Sequence, residues 1–494
     1  MAQRTSFLIL LVMLVLSSSL LRAQEDDATA EPEATQTAEA TAESTAEADE
    51  DSCPALVQQA LELTRQGCDT TDTNEVCYGH LLLESVLRGG VDPEAFDTPG
   101  DVVDVVEVQN LSLSALDVVA GIWGVVLMQI EAELELEDDQ SDLTYIVFGD
   151  ATLESASQLV SITTLETSNL RSAPSATAAI VASVPEGTSL IASGRTEDNE
   201  WLRIRLRDED GDITLGWIFA ELVETELDVE DLPVVSVDDT DDLESQVAHF
   251  GPMQAFYFRS GIDDAPCAAA PNSGMLIQTP EGQASVSLWI DEVVVELTDT
   301  AFVQAQADGS ITVNVLDGAA SVTANGQTRT AVRGTSVSVP LDASLSAAGE
   351  PDAPKPIDPD DLQSLPTTLL ENSVTIPEPV GTIPGAPIPG SWLFTWGVNS
   401  LTCPDGSEVT FASGGTPGRI SVANDGSSIT WSDVTYTRAG TGAYSASFVD
   451  ANGNLHQDTL TVQSLDRISG QKVVDYATTV CTLEVPFSLR LVGS

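Results

Sequence analysis

From Ser161 to Val223 the chain is a series of short β-like runs cut by Gly and Pro turns, a pattern that reads as a small closed β-barrel. Asn169-Leu170-Arg171-Ser172-Ala173-Pro174-Ser175 comes first, Val184-Pro185-Glu186-Gly187-Thr188 follows, and Trp201-Leu202-Arg203-Ile204 and Gly216-Trp217-Ile218 close the stretch. Leu202, Ile204 and Leu206 alternate with Arg203 and Arg205, so one face of that strand is buried and the other wet. Asp208-Glu209-Asp210-Gly211-Asp212 is a polar turn, after which Gly216 leads Trp217 into a last strand.

At Asn169 to Ser175, Trp201 and Gly216-Trp217-Ile218 the segment resembles the bacterial SH3-like domain, whose pattern runs LNVRSGPS … G(T) … W … GWV. Ala173 stands where that pattern has Gly, and the Asp208 to Asp212 turn is more acidic. The resemblance covers about an eighth of the chain, 161–223, and implies a module that binds cell-wall peptides or glycans. Trp201 and Trp217 are candidates for its ligand groove, because flat rings pack peptide or sugar faces with a polar edge free. Asn169 and Arg171 stand beside them in the motif. The competing reading of both rings is that they cap the barrel's core.

Length allows three or four domains in 494 residues. Residues 1–23 read as a signal peptide, with Arg4, an apolar run from Phe7 to Leu16, and Ala23 as a small residue for cleavage. That run is short for a membrane span, so a membrane contact is expected only if the signal is uncleaved. The chain is expected to be secreted or held at the cell surface. Its net charge of −60 repels phosphate backbones and anionic lipid heads, which excludes nucleic acid as a partner. Lys occurs only at Lys355 and Lys472. The acidity has two readings, a plain one of solubility or a salty habitat and a functional one of cation or cationic-peptide binding.

Composition divides the rest. Residues 24–51 carry no apolar stripe and read as a disordered acidic tether. From Cys53, Leu56, Ala60, Leu61 and Leu63 fall at near-helical spacing, and Leu81 to Leu87 suggest a second short helix. With β-like runs at Asp101 to Val108, Gly124 to Leu134 and Leu143 to Phe148, 53–158 reads as a small α+β domain. Through Cys77-Tyr78-Gly79, Trp123-Gly124-Val125 and Phe148-Gly149-Asp150 it is similar to an uncharacterised region that precedes SH3-like modules in exported bacterial proteins. Residues 224–248 form an acidic linker, extended by self-repulsion. An irregular stretch, His249 to Leu276, opens the next domain, 249–342.

That domain holds the strongest run of strands, with Asp308-Gly309, Asp317-Gly318 and Asn325-Gly326 as hairpin signals. A three-residue loop Ala307-Asp308-Gly309 pairs Val303 with Val313 and Ala305 with Ile311, keeping apolar residues opposite one another. At Val313-x-Val315-Leu316-x-Gly318, Val322 and Val332-x-Gly334-x-x-Val337-x-Val339 it resembles the FecR-like periplasmic domain, which implies a β-stack. Residues 343–389 are Pro-rich and predict an extended linker. The last segment, 390–494, alternates at Ile429 to Tyr436, Tyr444 to Phe448 and Thr459 to Val462, with Asn452-Gly453 as a turn, and predicts an antiparallel barrel or sandwich.

Few residues point to chemistry. The three histidines, His80, His249 and His456, lie in different regions, and neither Gly-x-Ser-x-Gly nor His-Glu-x-x-His occurs. Cys77-x-x-His80 has the spacing of half a metal site or a thiol nucleophile, against the plainer reading of a disulfide Cys near a surface His. Asp208-x-Asp210-Gly211-Asp212 lacks the Gly and Glu of a calcium loop, since Ile213 and Phe219 occupy those positions. Trp123, Trp289, Trp392, Trp396 and Trp431 read as core. No catalytic group, metal or cofactor is expected.

Six cysteines in an exported chain suggest disulfides. A helix from Pro54 to Gln66 holds Cys53 and Cys68 about 20 Å apart, beyond bridging distance. Cys68 and Cys77 flank a turn and are expected to pair, although the sequence leaves the connectivity of the first four cysteines open; Cys403 and Cys481 lie near opposite ends of the last domain, where a bridge is worth ~4 kcal/mol. Cys53 and Cys267 are left to each other. The expectation is a mainly β, multi-domain, non-catalytic binding protein: an α+β N-terminal domain, SH3-like barrel, FecR-like β-stack and C-terminal antiparallel barrel or sandwich. Its partners are peptidoglycan or another cell-surface peptide or glycan; the alternative is a structural or sensor-like surface protein with protein partners.

Overall fold

The computed structural model describes residues 52–88, 91–131, 142–207, 213–225, 229–236, 247–262, 265–280 and 285–493. The predicted signal peptide, the predicted acidic tether and the predicted Asp208 to Asp212 turn lie outside the described residues, as does most of the predicted acidic linker. The described chain is mainly β, with one α-helix among its described residues, Ser52–Gly67.

Strands from 75–155 and from 255–340 build two sheets together. Sheet I runs Lys355–Pro356, Thr335–Pro340, Ser310–Val315, Thr300–Ala305, Gly274–Gln278, Asp142–Phe148, Val125–Glu131, Glu75–His80 and Val102–Asp104. Sheet II runs Leu83–Leu87, Val108–Leu113, Ala151–Ser155, Ala255–Ser260, Val286–Ile290, Val293–Leu297, Ala319–Ala324 and Gln327–Val332. The segments 53–158 and 249–342, predicted as separate domains, are therefore two halves of one β-sandwich. They join where Phe148 pairs with Gly274 and where Ser260 pairs with Ala151. The cause is burial: Val126, Met128, Tyr145 and Val147 need the same apolar layer as Phe256, Phe258, Met275 and Ile277, and one interface serves both sets. The segment predicted as a FecR-like β-stack is thus split between two sheets. Within it the hairpin register is the expected one, with Val303 opposite Val313 and Ala305 opposite Ile311.

Two local readings change. Leu83–Leu87 is a strand, not a second helix, and pairs with Val108–Leu113. Within the stretch predicted irregular, Ala255–Ser260 and Gly274–Gln278 are strands, because their alternate apolar residues face the shared core.

Sheet I is covered on both faces. Its outer face carries Val125, Ile146, Phe148, Leu276 and Phe302. Against these pack Val57 and Ala60 of the helix and Ile357, Leu362, Leu365, Leu369 and Leu370. The Pro-rich segment predicted as a free linker is accordingly a strap fixed to the sheet. Its prolines limit it to short elements, the edge strand Lys355–Pro356 and a 3-10 turn at Thr367–Leu369, while its Leu and Ile side chains each gain about 1.5–3 kcal/mol from burial. The Cys53–Cys267 bond anchors the start of the helix to the loop before Gly274, and Cys68–Cys77 ties its end to the sheet.

Between Ala151–Ser155 and Ala255–Ser260 the chain leaves the sandwich and forms a seven-stranded sheet of its own. Its order is Ile180–Val184, Ser168–Arg171, Ile213–Phe219, Trp201–Arg207, Ser189–Arg195, Val160–Thr164 and Val223–Glu224. It curls around Ile162, Leu170, Ala192, Leu202, Ile204 and Ile218. Part of the predicted acidic linker packs here: Leu232 is buried in this core, and the Arg195 N–H donates to the Pro233 carbonyl. Leu232-Pro233-Val234-Val235 is an apolar run inside an acidic stretch, and burial outweighs the self-repulsion of its flanks.

Residues 390–493 form a closed antiparallel barrel of eight strands, with Gly390–Trp396 pairing to Gly414–Val422 on one side and Thr482–Gly493 on the other. A further hairpin, Asn399–Thr402 with Glu408–Phe411, extends from the last strand and is clamped by Cys403–Cys481. The barrel docks on the sandwich through Arg329, whose guanidinium lies 3.2 Å from the buried Asp466 carboxyl. Ala319 and Val332 of sheet II belong to its apolar cluster.

Candidate ligand-binding sites

Strand alternation in the inserted sheet sends Leu202, Ile204 and Ile218 inward and leaves Trp201, Arg203, Trp217 and Phe219 on the opposite face. Trp217 stands in register with Arg171 and with Arg203. Of the four residues singled out by the motif, Asn169 is exposed, Arg171 and Trp201 are half-buried, and Trp217 is only 4% exposed. Trp201 packs edge-on against Phe219, with centroids 5.5 Å apart. Arg171 Nη1 donates to the Ala178 carbonyl at 2.8 Å and so holds the 172–179 loop. The returning chain runs along this face, with Val235 against Gly194 and Arg205 Nη2 donating to the His249 carbonyl. The two rings therefore do not form an open aromatic groove together. What the face leaves open is its margin: Ile180–Val184 is an edge strand, and its Ile180 and Val181 are 56% and 41% exposed.

The C-terminal barrel is filled at one level by a buried apolar cluster. Even-numbered residues of Gly390–Trp396 point inward, and Trp392 is completely buried, its Nε1 donating to the Ile388 carbonyl at 3.1 Å. Around it pack Ile420, Ile429, Tyr444, Leu460 and Leu491. Above this plug the barrel opens into a cup of about 420 Å³. Phe394, Trp396, Trp431 and Phe487 form its aromatic wall, Phe394 lying 4.8 Å from Phe487 and 5.5 Å from Trp396 between centroids. The rings have room because Gly418 and Gly470 stand beneath them; a Cβ at either would collide with Trp431 or Phe487.

One side of the cup is polar. Asp458 and Lys472 are directly opposed on neighbouring strands. Asp458 Oδ2 accepts from the Tyr436 hydroxyl at 3.0 Å and from Lys472 Nζ at 3.4 Å. Burial, and after it the Asp458 charge, raise the Tyr436 hydroxyl above its ordinary value, so it remains a donor. Asp458 is 2% exposed and Asn399 7% exposed, and neither Oδ1 has a hydrogen-bond partner. Trp396, predicted as core, is half-buried and lines this cup. Trp123, Trp289 and Trp431 are buried. Sequence reasoning missed Asp458, although its phase was readable: it lies two residues before Leu460 and four before Val462, both inward positions.

The other polar candidates do not assemble. Cys77 is bonded to Cys68, so Cys77-x-x-His80 offers no free thiol, and His80 Nδ1 lies 3.0 Å from the Trp123 carbonyl. His249 is held below its ordinary value by burial and by Arg205, and His456 sits in the barrel 3.3 Å from Asp450.

Residues 165–224 match the bacterial SH3 domain family. The chain thus carries a bacterial SH3 domain as an insertion in its sandwich. No curated protein matches the chain. Among solved structures it is similar to the isotype 1 transferrin binding protein B from serogroup B Neisseria meningitidis, at 9% identity and a TM-score of 0.14 over 85% of this chain and 78% of that one.

Proposed function

We propose that the protein is a non-catalytic, exported binding protein whose SH3 domain recognises cell-wall peptide or glycan. The carrying observation is the domain itself, at 165–224, with an edge strand whose outer side has no strand partner among the described residues and which presents two apolar side chains to solvent. An open edge offers backbone donors and acceptors to an extended peptide, and Ile180 and Val181 supply the apolar contact beside them. Three disulfides support a working compartment outside the cytoplasm. The second reading, a structural or sensor-like surface protein in which the SH3 domain is scaffold, is favoured by the burial of Trp217.

The test is co-sedimentation of the full chain with purified peptidoglycan, comparing wild type with the Ile180→Asp/Val181→Asp double variant. Both side chains are exposed, so the variant is expected to keep its stability within the range of about ±0.5 kcal/mol typical of surface changes. Its retention is expected to fall about tenfold or more, ~1.4 kcal/mol. Equal retention of the two proteins would remove the edge strand from the site. Trp217→Ala is the poorer probe, because emptying a buried Trp position costs about 3–5 kcal/mol of stability.

A further inference from the structure

The cup in the C-terminal barrel is a second binding site, and the geometry points to an uncharged hydroxylated ring, the chemistry of a sugar residue, as its ligand. Three observations lead there independently of the SH3 domain. The first is the wall: Phe394, Trp396, Trp431 and Phe487 present ring faces and edges to a cup of about 420 Å³, within the range of about 300–1,000 Å³ typical of ligand pockets. Flat aromatic walls take the C–H face of a saturated ring as readily as another aromatic ring.

The second is the pair of unpartnered acceptors. Asp458 Oδ1 and Asn399 Oδ1 are both buried, both line the same cup, and neither receives a hydrogen bond from the protein. A buried acceptor left without a donor is costly, so two of them in one cup mark a place where donors arrive from outside. The carboxyl torsion of Asp is soft, and a small rotation turns an oxygen toward a group in the cup. Beside Asp458, on the same polar side, Lys472 Nζ is a donor with three N–H groups, only one of which is taken by Asp458.

The third is charge. A carboxylate or phosphate ligand would meet the Asp458 carboxyl and a protein of net charge −60. An ammonium ligand would meet Lys472. A pure hydrocarbon would leave both acceptors unpaired. A hydroxyl, a single uncharged group, both donates to Asp458 and Asn399 and accepts from Lys472, and a ring bearing several hydroxyls matches the polar side while its C–H face matches the aromatic side.

The experiment is calorimetric titration of the intact, disulfide-bonded protein with glucose, galactose, mannose and N-acetylglucosamine, and with cellotriose and chitotriose. Saturable binding of at least one is expected, tighter for a trisaccharide if a glycan chain is the natural source and equal for the monosaccharide if a free sugar is. Trp396→Ala and Asp458→Asn are each expected to weaken that binding about tenfold or more. Should either variant fold poorly, Thr416→Trp serves instead: Thr416 is exposed at the cup, and the larger ring blocks it without touching the core. The Ile180→Asp/Val181→Asp variant is expected to bind the sugar as wild type does, which separates this site from the SH3 domain. Heat changes no greater than dilution for all six sugars would overturn the proposal, as would binding that survives Thr416→Trp unchanged.

Discussion

Replacing both Cys53 and Cys267 by Ala is expected to destabilise the chain by about 3–5 kcal/mol, the largest loss from any of the three disulfides. The two residues are 214 positions apart in sequence, against 78 for Cys403–Cys481 and 9 for Cys68–Cys77, so this bond removes the most freedom from the unfolded chain. It also joins the two halves of the sandwich, one Cys lying at the start of the helix and the other in the loop before Gly274–Gln278. Helix Ser52–Gly67 belongs to neither sheet and holds its place by Val57 and Ala60 on the outer face of sheet I. Denaturant midpoints under non-reducing conditions, for wild type and the double variant, measure the effect. Limited proteolysis should then cut first near the helix. A shift below about 1 kcal/mol would show that packing alone holds the halves together.

Asp291→Asn is expected to stabilise the protein, and by an amount that depends on pH. Asp291 sits fully buried in the turn between Val286–Ile290 and Val293–Leu297. Its Oδ1 accepts from the Phe258 N–H at 2.9 Å, while its Oδ2 has no partner. Burial pushes the carboxyl up from 3.8 to about 8. In the unfolded chain the group ionises above about pH 4, whereas the folded chain keeps the proton until about pH 8. Between those values the folded state binds the extra proton, so this residue's contribution to stability is intact below pH 4 and declines as pH rises. Roughly four units at 1.36 kcal/mol each amount to about 5 kcal/mol by pH 8 and above. Asn mimics the protonated form and removes the decline. It also suits the positive φ of 53° at this position. Thermal midpoints of the two proteins should therefore agree within a few degrees near pH 4, diverge steadily to about pH 8, and run parallel beyond. A constant difference across that range would mean that Asp291 is ionised throughout.

Local patterns in the sequence carry the SH3 domain, the Val303–Val313 hairpin register and the alternation that closes the C-terminal barrel. Each depends on neighbours a few residues apart, where turn chemistry and side-chain period decide the outcome. The sandwich was not legible in that way. Val147 meets Met275 across the inserted SH3 domain, and no short window of sequence distinguishes that partner from any other half-buried strand. The strap was misread for a related reason. Its Pro content predicts an extended chain, which it is, but Ile357, Leu362 and Leu365 decide that the chain lies on a sheet and not in solvent. For the sites, the motif located the SH3 domain and named Trp217, yet its burial depends on tertiary placement. Asp458 was within reach of the alternation argument; its counterpart Lys472 lies on the next strand, and only barrel closure places both beside Trp396.

The central claim, that this is an exported binding protein with its SH3 domain as a wall-recognition module, is tested most directly by equilibrium co-sedimentation of the unmodified, disulfide-bonded chain with purified peptidoglycan at moderate salt. Saturable retention that soluble wall fragments reverse is the predicted result. A chain that stays wholly in the supernatant, at every peptidoglycan concentration and with its thermal midpoint intact, would contradict it.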